Sequence, residues 1–175
     1  MKKNFKFQVI AALFAALTCV ATMSIRIPTP ATGGYVHPGD ALVILCGVYL
    51  GPLFGFLAAG IGSAFADLLG GYFVYIPITF MIKGLVALFT AFAYRAIATA
   101  KWSRQMTGVI VGGIIDTILV GGGYLLCEGM LYGFSGALAS LLPNIVQGLS
   151  GLVISLLLFI ALSKVPEFKN LASKK

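Results

Sequence analysis

Four of the five acidic residues in this 175-residue chain stand in apolar runs or at their edges. They are Asp40, Asp67, Asp116 and Glu128, and Lys83, Asn144 and Gln147 have similar surroundings. An ionisable or amide group costs free energy in an apolar medium, so its presence there points to one of three chemistries: a ligand site, a proton or ion relay, or an internal pair. Acid–base or nucleophilic catalysis would need more. The single histidine, His37, has no serine or cysteine partner signature around it, and HExxH is absent. The chain also lacks GxxxxGK[ST], so it does not hydrolyse ATP by itself. Cys19, Cys46 and Cys127 are isolated from one another, with no CxxC. No enzyme activity, metal centre or cofactor is expected.

The elements that must hold these groups follow from composition. The chain is 59% apolar and 10% charged, with a mean hydropathy of +1.02. Soluble domains are about 25% charged. A water-soluble globule and a disordered chain are both excluded. A hydrocarbon core about 30 Å thick takes roughly 20 apolar residues per helical span. We expect a single all-α membrane domain over residues 1–175, with six transmembrane helices near 5–24, 38–50, 52–69, 77–98, 105–127 and 137–163. The first apolar run, Phe7–Ile25, has 19 residues. That is long for a signal peptide, and it reads as a retained span. The corner Leu50-Gly51-Pro52 separates spans 2 and 3. The stretch 25–40 is expected as a long structureless loop, 70–77 as an aromatic turn, and 128–136 as a Gly-rich loop. A basic tail follows the last span.

Placing the N-terminus inside puts 10 of the 12 basic residues on the cytoplasmic side, Arg26 and Lys83 excepted. Both termini are then inside. The net charge of +7 therefore marks membrane topology, not nucleic-acid binding. The three larger loops face outward, and so do most of the polar groups, with Asp116 near mid-depth. A polar cavity opening outward between spans 3 to 6 is the economical arrangement.

Each candidate also has a plainer role. Asp67 and Lys83 could neutralise one another. Asp40, after Pro38-Gly39, suits a helix N-cap, and Glu128 a solvated helix end. Asp116, among glycines, could make a buried hydrogen bond or face a pocket. Asn144 and Gln147 share a stripe with Ser140 and Gly151 and could bind ligand or join helices. Tyr72 and Tyr75 suit interface anchoring. Ala11/Ala15 and Ala12/Ala16 form two overlapping small-xxx-small patterns, which let another helix approach closely.

The alanine-rich first span, the long Pro/Gly outer loop, His37-Pro38-Gly39-Asp40-Ala41-Leu42-Val43-Ile44, the corner Leu50-Gly51-Pro52-Leu53-Phe54-Gly55, the stretch Ala58–Asp67 and Lys83-Gly84 together resemble the substrate-binding S components of energy-coupling factor (ECF) vitamin transporters. The resemblance covers nearly the whole chain. It implies a multi-pass protein of the cell membrane that captures a water-soluble vitamin or precursor from outside. It carries Tyr35 and His37 over as lid residues. Tyr72, Tyr75, Lys83, Glu128, Asn144 and Gln147 become lining residues, with Asp40, Asp67 and Asp116 as further candidates. Ala11, Ala12, Ala15 and Ala16 would dock a transmembrane scaffold (T) subunit that bears two ATPase subunits. Lysine, carboxylates, amides and tyrosines suit a flat heteroaromatic ring such as vitamin B6 or a hydroxymethylpyrimidine, with riboflavin next. The different-class alternative is an autonomous proton-coupled carrier or channel using Asp116 and Lys83.

Overall fold

The computed structural model describes residues 2–29 and 32–173, with side chains described from Phe5 onward. Pro30 and Ala31 of the outer loop, and Lys174 and Lys175 of the basic tail, lie outside the described residues. The elements are α1 (Lys2–Ser24), β1 (Ile27–Pro28), β2 (Tyr35–Val36), α2 (Asp40–Gly70), α3 (Tyr75–Ile97), α4 (Trp102–Tyr132), α5 (Phe134–Leu162) and α6 (Pro166–Ser173). Among the described residues, five helices are long and apolar enough to cross a membrane.

Six crossings come from five long helices because α2 doubles back. Gly51 takes φ 77°, a conformation glycine adopts without a Cβ clash, and Pro52 follows it. The space beside Gly55 is closed by the backbone of Cys46 and Gly47, so the two arms of α2 lie side by side. The first arm, residues 40–50, rises only about 16 Å at 1.5 Å per residue. It cannot reach the outer surface of a 30 Å core. Asp40 therefore stands at mid-depth, and the chain before it dips into the bundle. The same arm is the centre of the fold: Ala41, Val43, Ile44, Leu45 and Cys46 are fully buried.

Three expected segments differ. The outer loop is not structureless. Ile27 pairs with Val36 and Pro28 with Tyr35 in a small antiparallel hairpin. Its turn is closed by Thr29 N–H donating to the Gly34 carbonyl (2.9 Å) and by the Thr29–Thr32 hydroxyl pair (2.9 Å). The expected loop 128–136 is helix through Tyr132. A single residue, Gly133 (φ 87°), then turns the chain into α5. Such a φ suits glycine, which is why one residue suffices. The basic tail contains a short helix, α6, that buries Leu171 and Ala172 and ion-pairs Glu167 to Lys6.

Helix α1 lies against α2. The two alanine patterns on it separate. Ala11 is buried, and the Ala15 carbonyl closes the space beside Gly62 of α2, so that pair packs within the chain. Ala12 and Ala16 are exposed. The four alanines are thus two faces rather than one.

Candidate ligand-binding site

Helical spacing carries polar side chains inward on three helices. Tyr75, Thr79 and Lys83 repeat every four residues on α3. Asp116, Tyr124 and Glu128 follow on α4, and Ser140, Asn144, Gln147 and Gly151 on α5. All are buried. The hairpin roofs them from outside, and with them encloses a chamber lined by its Thr29, Gly34 and Tyr35 and by His37, Asp67, Tyr75, Thr79, Tyr124, Glu128, Asn144 and Gln147. With the roof down its free space is about 20 Å³, room for about one water molecule.

The floor is a buried ion pair. Lys83 Nζ donates to Asp40 Oδ1 at 2.5 Å, and both side chains are fully buried. Lys83 also lies 5.6 Å from the Tyr124 ring centroid. This corrects two expectations. Lys83 pairs with Asp40 and not with Asp67, and it sits beneath the chamber instead of on its wall. Asp40 makes no capping hydrogen bond, because the short first arm of α2 brings it to the lysine's depth. Asp116 is equally buried, and neither of its carboxylate oxygens has a partner among the described residues. Its Oδ2 borders the space beside Gly151, next to the Asp40 Cβ.

Gln147 links floor to roof. Its Nε2 donates to Asp40 Oδ2 (2.7 Å), and its Oε1 accepts from the His37 backbone N–H (2.8 Å). The ion pair thereby fixes which way the amide points. A second link runs through Tyr75, whose hydroxyl reaches the Thr32 carbonyl (2.8 Å) and Glu128 Oε1 (3.0 Å). Ser140 donates to Glu128 Oε2. Glu128 is therefore a buried, fully engaged carboxylate and not a solvated helix end. Tyr75 belongs to the bundle and is not an interface anchor. A third link is Tyr35 Oη donating to Asp67 Oδ1 (2.7 Å). Asn144 lines the chamber.

The roof has its own order. The Tyr35 and Tyr72 rings lie 4.5 Å apart, and the Arg26 guanidinium stands 5.2 Å from the Tyr35 centroid and 5.9 Å from that of Tyr72. Tyr72 thus braces the hairpin from outside the chamber. Burial, and then the Asp67 carboxylate, push the Tyr35 phenol up and keep it protonated. Burial pushes the His37 imidazole down to about 3, outweighing the Asp40 carboxylate that pulls it up. The ring is therefore neutral, with Nδ1 accepting from the Gly39 N–H at 3.1 Å. Arg26, Thr29, Thr32, Thr79 and Tyr124 were not singled out from sequence. Thr79 and Tyr124, which share a 2.8 Å hydrogen bond, were legible from their spacing to Lys83 and Glu128. The hairpin threonines were not.

Residues 2–164 match the family model described as "ECF-type riboflavin transporter, S component". A protein of Lactococcus lactis subsp. cremoris (strain MG1363), named thiamine precursor transporter HmpT, is 30% identical over 158 residues, covering 87% of this chain and 85% of the relative. An uncharacterized protein of Pyrococcus woesei is 38% identical over 135 residues, covering 77% of this chain and 86% of the relative. A solved structure of the S component of a bacterial ECF transporter superposes with a TM-score of 0.67 at 19% identity, covering 92% of this chain and 97% of the other.

Proposed function

The chain belongs to the S-component family of ECF transporters and is a multi-pass plasma-membrane protein, and from that premise we propose that its outer chamber captures a single-ring water-soluble vitamin or precursor. The favoured ligand is a hydroxymethylpyrimidine or a vitamin B6 ring, with riboflavin next. The observation that carries this is the set Glu128, Asn144 and Gln147, which converges on one small chamber under a hairpin. A carboxylate and two amides can read ring nitrogens, amino groups and hydroxymethyl groups together. Lifting the hairpin releases Gln147 from His37 and Tyr75 from Thr32, freeing those groups for a flat ring beside Tyr35. A tricyclic ring with a polyol tail would require a much larger displacement. The relative named for thiamine-precursor transport supports the pyrimidine, and the family description supports riboflavin as second choice.

Uptake energy would come from partners: a scaffold subunit docked on the exposed Ala12/Ala16 face, and its two ATPase subunits. Ala16→Trp should then abolish uptake while leaving binding intact. The test of the ligand is mass spectrometry of small molecules that co-purify with the protein. A pyrimidine or pyridine at near one per chain supports the assignment, and a flavin or no ring compound overturns it.

A further inference from the structure

A second cluster of cavities lies at the cytoplasmic end, away from the proposed vitamin chamber. The largest, about 550 Å³, opens between the inner ends of α4 and α5 and the short helix α6. That lies within the roughly 300–1,000 Å³ of small-molecule sites. Its wall is aromatic. Trp102 stacks on Phe159 at 5.5 Å, and Phe159 on Tyr49 at 5.9 Å. Lys169 of α6 stands at its rim. Two smaller cavities, about 110 and 140 Å³, share walls with it and are both bounded by Tyr94 and Arg95.

The polar groups here are conspicuous for what they lack. Tyr49 and Tyr94 are each 3% exposed. Neither hydroxyl has a hydrogen-bond partner among the described residues. Arg95 and Lys169 form no salt bridge among the described residues. The cavities thus join an apolar aromatic wall and two exposed cations, unpaired among the described residues, at the inner ends of α4 and α5.

We propose that this cluster is a binding site for an anionic phospholipid of the inner leaflet. The phosphodiester meets the exposed side chains of Arg95 and Lys169, and the upper acyl chain lies on the half-exposed Trp102. Charge complementarity selects an anionic over a zwitterionic lipid, since each basic side chain near an anionic membrane surface contributes about 1 kcal/mol.

Trp102 is the only tryptophan in the chain, so its fluorescence reports on the site directly. The full chain is placed in nanodiscs containing brominated phosphatidylglycerol or brominated phosphatidylcholine at matched mole fractions. Brominated phosphatidylglycerol should quench Trp102 at the lower mole fraction. Lys169→Gln should reduce that preference about fivefold. Arg95→Gln should reduce it to a similar extent. Equal quenching by the two lipids overturns the proposal. So does full displacement by inorganic phosphate, which would mark a free-anion site. A Trp102 response to added ATPase and scaffold subunits, with no lipid selectivity in their absence, overturns it in favour of a protein interface.

Discussion

At the outer end of the bundle Gln147, Asp40, Glu128, Tyr75 and Tyr35 each hold a partner on another element, and several of those partners belong to the roof. At the inner end Tyr49 and Tyr94 are as deeply buried, yet their hydroxyls have none among the described residues. Burial is similar except at the half-buried Tyr35, and satisfaction differs, although Asp67 Oδ2 and Arg26 Nε at the outer end also lack a partner among the described residues. In the proposed binding mode the hairpin stands in for the ligand at the outer end, holding the groups that a vitamin would use. Inside, no segment among the described residues reaches the two hydroxyls. The outer end thus holds a chamber of about 20 Å³ and the inner end an open cavity of about 550 Å³.

The comparison breaks most severely if the floor does not support the roof. Lys83→Met leaves Asp40 buried without its cation and should cost about 3–5 kcal/mol, read as a fall in thermal stability in detergent. Lys83→Met with Asp40→Leu should recover most of it. Gln147→Ala removes the link from floor to roof and should weaken ligand binding by about 2 kcal/mol, roughly 30-fold in Kd, with little loss of helix content. Tyr75→Phe removes the hydroxyl that the ligand would take over from Thr32, and should speed ligand dissociation about tenfold in stopped-flow measurements. The smallest effect is on pH. With the roof closed the His37 pKa is about 3, whereas an exposed imidazole has about 6.5. Closure is therefore fully favoured above pH 6.5 and weakens as pH falls from there towards 3. Between pH 7.5 and 6.0 the closed-to-open ratio should fall about fourfold, seen as faster hydrogen exchange over residues 32–39. The charged groups acting on the imidazole are Asp40, Lys83 and Arg26. His37→Gln should remove the dependence.

Much of this was legible in the residues. Hydropathy revealed the helices, and Gly51-Pro52 showed where one reverses, since both residues act locally. The inward stripe 140/144/147/151 follows from helical period alone. Partnerships were another matter. Asp40 looked like a cap because its neighbours Pro38 and Gly39 suit one, whereas its true partner, Lys83, is set by the depth of a shortened arm. Glu128 looked solvated because glycines follow it, yet α4 continues past it to Tyr132. The hairpin was hidden because two-residue strands leave no periodic trace, and its order comes from contacts with Tyr75 and Gln147. The Ala11/Ala15 and Ala12/Ala16 patterns are indistinguishable in sequence, and the position of α2 alone separates them.

The central claim is that the outer chamber binds a single flat ring by taking over the contacts that hold the hairpin. Isothermal titration of the purified full chain with hydroxymethylpyrimidine, pyridoxine and riboflavin tests it most directly, repeated on Gln147→Ala and Glu128→Ala. The account predicts one site per chain for a single-ring compound, weaker or absent binding of riboflavin, and a loss of affinity in both variants. Tightest binding of riboflavin, or single-ring binding unchanged in both variants, would contradict it.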